Sequence, residues 1–367
     1  MDSASYTFKN LEDKYGGFAA PSVAVKIGGR KIDSAQMLIS SLTVDIDAGQ
    51  GAGGCRFALE SQYDYGRSQW DNEILEIMEV GKVLEIEAGY VSKKRIFYGF
   101  VDDYTLDYSS DSAPRITVNG IDAKGILMNT VSFTNMNDKD ATAVVNSILD
   151  SCIKCKYATK KTVGELPKYT AQLIKEKQSD YSFLCYLANL FSVQFLVVDG
   201  EAVFKNVLCD TQPVITLNMG VSLLSFNKKL SLRQQVGKVI VEGTEPKTTK
   251  VVKGEATSST LRGPGKEAGD KAAGIDASVV TVRSEFVHDP QECKQLAQAI
   301  FDERSLNFIS GQGRCVGIPE IIPGRYIELV GLDKRSDDKY YITKVTHEYS
   351  AEGGYYTTFF IKGAKSK

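Results

Sequence analysis

Among 367 residues there are two histidines, His288 and His347, and a single tryptophan, Trp70. Hydrolysis by a serine or cysteine nucleophile needs a base within reach. His347 falls in an expected strand and His288 just ahead of an expected helix cap, so neither belongs to a nucleophile motif. An excess of positive charge is also missing. Lys and Arg number 44 against 46 Asp and Glu, a formal net charge of −2, whereas binding a nucleic-acid backbone needs clustered positive charge. No apolar run approaches the ~20 residues that span a bilayer. Met1-Asp2-Ser3-Ala4 lacks the basic and apolar regions of a signal peptide. The chain is therefore expected to be made in the cytoplasm, without membrane insertion and without nucleic-acid recognition.

Seven cysteines are an odd number scattered through expected strands and helices, which suits reduced, buried thiols. Cys152 and Cys155 form a C-x-x-C with no second ligand pair, so they read as two thiols one helical turn apart near a helix end. A glycosidase needs two carboxylates about 5–10 Å apart across a cleft, and nothing marks such a pair. Asp102-Asp103 and Asp337-Asp338 read as turn or loop charges, and Asp45 and Asp47 as solvated charges on an edge strand. No catalytic residue, metal or cofactor is expected, and the protein is not expected to be an enzyme.

What is present is β pattern. Hydrophobic residues make up 43% and aromatics 10%, enough for two or three cores at this length. Residues 1–20 read as an arm that docks on this chain or on a neighbouring copy. Strands are predicted at Val23–Ile27, closed by the turn Gly28-Gly29, and at Leu38–Asp47 and Arg56–Glu60. The intervening Gly49-Gln50-Gly51-Ala52-Gly53-Gly54 matches G-x-G-x-x-G. A phosphate-cradling loop needs a helix directly after it, and here a strand follows, so a flexible hairpin tip is expected. Gly81–Tyr90, Arg95–Tyr108 and Arg115–Ile121 continue the pattern. These strands are expected to form a first β-barrel or sandwich domain, 1–130, completed by 212–245 unless that segment bridges to the second.

Residues 131–211 change character and read as a small α+β insert. Helices are predicted at Asp140–Leu149 and at Ser179–Phe191, with Ser179 or Asp180 as N-cap. A hairpin through Asp199-Gly200 follows, the favoured type I′ pair. Residues 246–275 lack aromatics and read as a flexible loop. Residues 276–367 form a second β domain with one helix. That helix is opened by Asp289 as N-cap, Pro290 at the first position and Glu292 completing a capping box. Three alternating runs end the chain, Arg325–Val330, Lys339–Tyr349 and Tyr355–Ile361. Gly and Asp separate them, as in consecutive antiparallel strands.

This last stretch carries a resemblance. Gly317-x-Pro319, Pro323-Gly324, the strand into Gly331, Tyr341-x-x-x-Val345-x-His347 and Gly354-Tyr355-x-Thr357 resemble the C-terminal part of the phage late control gene D family. Those are baseplate hub proteins of contractile tails, related to the hub portion of type VI spike proteins and to injection-system hubs. The resemblance implies a mainly β fold: two tail-tube-like β-barrel domains plus the helix-and-hairpin insert. The ten family-motif positions (Gly317, Pro319, Pro323, Gly324, Gly331, Tyr341, Val345, His347, Tyr355 and Thr357) are expected to be structural. It further implies a homotrimer that adapts a sixfold tail tube to a threefold spike, with each subunit presenting two of six similar edges. The implied partners are the tail tube protein, baseplate or wedge components and a spike. Because the chain stops at Lys367, a few residues after its last strand, the spike is expected to be a separate protein. The competing expectation is a tail-tip or surface β protein that binds a carbohydrate or receptor, stacking sugars on Tyr63, Tyr65 and Trp70.

Overall fold

A computed structural model describes residues 3–32, 38–49, 51–60, 63–70, 72–131, 140–166, 175, 178–261, 267–268, 277–285 and 287–366. The first part of the chain holds α1 (Phe8–Lys14), β1 (Ser22–Ile27), β2 (Arg30–Ile32), β3 (Leu38–Asp47) and β4 (Gly54–Glu60). It continues with the short hairpin β5 (Tyr63–Asp64) and β6 (Gln69–Trp70), α2 (Asn72–Ile77), β7 (Val83–Gly89), β8 (Lys93–Asp107), β9 (Arg115–Ile121) and α3 (Ala123–Asn129). The helix-and-hairpin insert follows as α4 (Ala141–Lys154), β10 (Lys160–Val163), α5 (Asp180–Phe191), β11 (Gln194–Val198) and β12 (Glu201–Lys205). Next come β13 (Pro213–Asn218), β14 (Leu223–Leu230), β15 (Lys238–Thr244), β16 (Val251–Ala256), β17 (Glu267–Ala268) and β18 (Val279–Arg283). Last are α6 (Pro290–Ser305), β19 (Ile309–Val316), β20 (Tyr326–Val330), β21 (Asp338–Ser350), β22 (Gly354–Gly363) and β23 (Lys365–Ser366).

The fold is mainly β. A thirteen-stranded sheet runs β14-β19-β22-β21-β3-β4-β9-β8-β7-β1-β2, with β20 on β21 and β13 on β20. Its strands alternate buried and exposed residues, so Leu42, Val44 and Ile46 of β3 face the same core as Val345 and Phe359. No ladder closes a barrel among the described residues. One half nevertheless curls: β13 and β14 end its path yet are chain neighbours, joined by a turn with a bridge from Met219 to Leu223.

The two halves repeat one plan. In chain order β1, β3, β4, β7, β8, β9 have the same neighbours as β13, β14, β19, β20, β21, β22. Two bulges coincide as well. Ser40 is the extra residue of β3 against β4, and Leu224 that of β14 against β19. Asp102 is the extra residue of β8 against β9, and Thr343 that of β21 against β22. Gly81 (φ 84°) donates to the Val101 carbonyl as Gly324 (φ 82°) donates to that of Ile342, each opening the next strand in a left-handed conformation that favours glycine. One difference stands: β1 meets β7 antiparallel, whereas β13 meets β20 in parallel. The halves are joined by an antiparallel ladder of β3 on β21.

Several expectations change here. Residues 212–245 do not complete the first half, because β13 and β14 pair with β20 and β19. The stretch 246–275 contains a strand, β16, paired with β15 and covered by α6. The sheet β16-β15-β18 with α6 shares a second hydrophobic core with the 131–211 insert, where Val239 and Phe301 join Leu149 and Phe204. Asp102 and Asp103 lie within β8, not in a turn. Asp45 lies on a strand paired on both sides, not on an edge. Other readings match the chain. Ser179 and Asp289 cap their helices, and Asp199 (φ 50°) and Gly200 (φ 72°) make the tight turn. Glu292 reaches the amide of His288, one residue before the cap.

Candidate functional site

Four family-motif positions, Gly317, Pro319, Pro323 and Gly324, lie in the segment 317–324, which crosses the end of the β19-β22-β21 ladder where His347, Tyr355 and Thr357 meet. Gly317 donates its amide to the Tyr355 carbonyl at 2.9 Å, and Ile318 donates to Thr357 Oγ1 at 2.9 Å. The His347 ring nitrogen Nδ1 lies 3.1 Å from Thr357 Oγ1 and 2.9 Å from the Tyr355 hydroxyl, and all three residues are buried. A Cβ at position 317 would overlap the Tyr355 ring. Val345 and Tyr341 lie in the core; Gly331 ends β20 beside Asn218. Pro319 and Pro323 each open a turn in this segment, at 319–320 and 323–324. These are packing and register contacts with no open face toward a reactant.

Burial pushes the His347 imidazole down to about 3, with the Ile321 carbonyl acting the other way. In the unfolded chain the imidazole gains a proton near pH 6.5. The folded state therefore loses stability as pH falls from about 6.5, by about 2 kcal/mol at pH 5 from this group alone. Asp122, fully buried, has its carboxyl raised by burial to about 6 and so acts in the opposite sense over the same window. Comparing the wild-type chain with His347→Gln isolates the histidine. The stability gap measured by denaturant unfolding at pH 7 should shrink by about 2 kcal/mol at pH 5, and a gap independent of pH contradicts the assignment.

The N-terminal arm docks on this same region of its own chain. Lys14 and Tyr15 both donate to Glu320 Oε1, at 2.7 and 2.8 Å, and Arg325 Nη2 donates to the carbonyls of Ser3 and Ala4. Tyr6 adds a backbone bond to Val214. The buried Glu320 and Arg325 thus receive partners from an arm that is remote in sequence.

The glycine run is no flexible tip where it is described; Gln50 lies outside the described residues. Lys124, buried at the start of α3, drives its ammonium into the loop and donates to the carbonyls of Asp47, Gly49 and Gly51 at 2.9, 2.9 and 3.2 Å. Asp122 caps α3 and also takes the Gly53 amide at 2.9 Å. The loop is filled by the chain's own cation and leaves no phosphate cradle. Sequence reasoning missed this lock, since its only trace is a lysine in the first turn of a short helix.

A cleft of about 930 Å³ opens between α5, α6 and the β21–β22 end, lined by Gly49, Ser192, Gln298, Asp302, Lys344 and Lys362. Two of its charges already serve the fold. Asp302 accepts from Ser259 and the Thr260 amide, and Lys344 pairs with Asp45 at 2.9 Å. Among the described residues, no group of three His, Cys, Asp or Glu side chains is placed to hold a metal. Cys152 is buried in α4, its thiol raised by burial to about 12, while Cys155 caps the helix end and is exposed. The face of Trp70 is covered: Tyr63 and Tyr108 pack edge-on against it, and the Tyr108 hydroxyl meets its indole nitrogen. A sugar has no open tryptophan platform there.

The model of the family described as the Alg8 N-terminal domain matches residues 21–351. The chain belongs to that family. None of the curated proteins matches it. Among solved structures, the 43 kDa tail protein of prophage MuSo2 from Shewanella oneidensis is similar at TM-score 0.69 and 15% identity, covering 93% of this chain and 98% of that one. A tail protein from Neisseria meningitidis MC58 gives 0.68 at 13% identity, covering 94% and 97%. An E. coli component of the type VI secretion system, described as structurally similar to the T4 tail proteins gp27 and gp5, gives 0.52 at 12% identity over 92% and 76%. This member of the Alg8 N-terminal domain family therefore has the fold of phage tail proteins.

Proposed function

We propose that the chain is a baseplate hub subunit of the late control gene D type, in a contractile phage tail or an injection particle. Three copies form a ring of six similar β units that meets a sixfold tail tube on one side and a threefold spike on the other. The observation that carries this reading is the repeated strand plan within one chain. A ring of three such chains presents six like edges, and the ring's other face remains threefold. The tube-like units are residues 22–121, and 213–230 together with 309–363. The chain is made in the cytoplasm and assembled into the particle, beside baseplate or wedge components. The role is mechanical and asks for no catalytic group, metal or cofactor. Quantitative mass spectrometry of purified particles tests it. Three copies for each ring of six tube subunits are expected; six copies would make the chain a tube component instead.

A further inference from the structure

If three chains form such a ring, every second joint must be made between copies, and the repeat points to its residues. The joint inside the chain is β3 on the free edge of β21 beyond its bulge, running from Asp47 opposite Lys344 to Ser41 opposite Ser350. The coincident bulges place Asp45 where the other half has Lys229, Leu42 where it has Phe226, and Ile46 where it has Leu230. They likewise place Lys344 at Asp103, Val345 at Tyr104, Thr346 at Thr105 and Tyr349 at Tyr108. Both corresponding edges are open among the described residues. β14 ends the large sheet, and β7 covers β8 only from Lys93 to Phe100.

We propose that β14 of one copy pairs antiparallel with Asp103–Ser109 of the next, with Lys229 opposite Thr105, Leu230 opposite Tyr104 and Phe226 opposite Tyr108. This rests on the ring reading above and names its contact. Charge supports it independently. Within the chain, Lys344 Nζ lies 2.9 Å from Asp45 Oδ1, which also accepts from Thr346 Oγ1 at 2.6 Å. Between copies the threonine recurs as Thr105 while the signs swap: Lys229 takes the place of the aspartate, and Asp103 that of the lysine. Asp107 flanks Lys229 on its other diagonal, within reach of a cross-strand pair. The apolar face agrees too. Leu230 and Tyr108 are exposed in the single chain, at 49% and 60%, and the ladder covers both. A bare eight-residue edge strand is a liability that strand addition from a second copy removes. The contact is head-to-tail, so it does not stop at a pair, and a threefold rotation between copies closes it into a ring.

Cross-linking tests the register. In a background with the exposed Cys155 and Cys209 replaced by serine, chains carrying Thr105→Cys are mixed with chains carrying Lys229→Cys and oxidised, alone and in the assembled particle. A disulfide-linked pair containing one chain of each kind is expected in the mixture, and none from either variant by itself. Native mass spectrometry of the same samples separates the two claims. Trimers without the mixed link overturn the ladder and leave the hub reading standing; chains that stay monomeric in both settings overturn both. As a second measure, Lys229→Asp should weaken association by ~10-fold, and Asp103→Lys in the same chain should recover it. Failure of the double variant to recover, with both singles still folded, contradicts the charge pair.

Discussion

Replacing Lys124 with methionine is expected to lower stability by about 3–5 kcal/mol, the range seen when one member of a buried charged set is removed. The ammonium is enclosed by three backbone carbonyls of the Asp47–Gly51 turn. Methionine fills much of the volume but donates nothing. The three carbonyls belong to residues that are half-buried (Asp47, Gly51) or exposed (Gly49), so water takes over part of what they lose, and each costs about 1–3 kcal/mol only where water is kept out. Asp122, whose charge Lys124 helps to hold, loses its nearest cation and should titrate higher still. Denaturant unfolding followed by backbone circular dichroism measures the loss. An unchanged midpoint would mean that the loop is ordered without the lysine.

Gly317→Ala is expected to be nearly as damaging, at about 3 kcal/mol or more, the upper end for overpacking a closed core. The added methyl meets three atoms of the Tyr355 ring, and the ring cannot retreat without giving up its contact with His347. Truncating the ring should relieve the clash, so Gly317→Ala combined with Tyr355→Ala should be more stable than the sum of the single effects. Additive losses would place the strain elsewhere.

Much of the fold was legible in the sequence because one-sided burial leaves a period of two. Tyr326–Val330, Asp338–Ser350 and Gly354–Gly363 all fall on runs marked by that alternation, and Ser179 and Asp289 announce their helices by side-chain chemistry. β16 escaped notice because it buries one face only against α6. Val251, Lys253 and Glu255 remain exposed, so the segment reads as polar. The N-terminal arm was visible as aromatic and polar, yet nothing local tells that Tyr15 meets Glu320, 305 positions away.

The repeat did leave a trace. Gly81-Lys82-Val83-Leu84-Glu85-Ile86 and Gly324-Arg325-Tyr326-Ile327-Glu328-Leu329 share one pattern of glycine, cation, apolar pair, glutamate and apolar residue. The match is six residues long across a gap of more than two hundred, and gains weight only when the bulges coincide. The motif residues around His347 were legible as a set, while their mutual contacts needed the crossing of the 317–324 segment over the sheet.

Imaging the assembled ring by electron microscopy tests the central claim most directly. Three chains related by a threefold axis are expected, forming six nearly equal β lobes, with β14 of each chain lying against β8 of the next. Six chains around the ring, or lobes that meet through any other pair of edges, would contradict it.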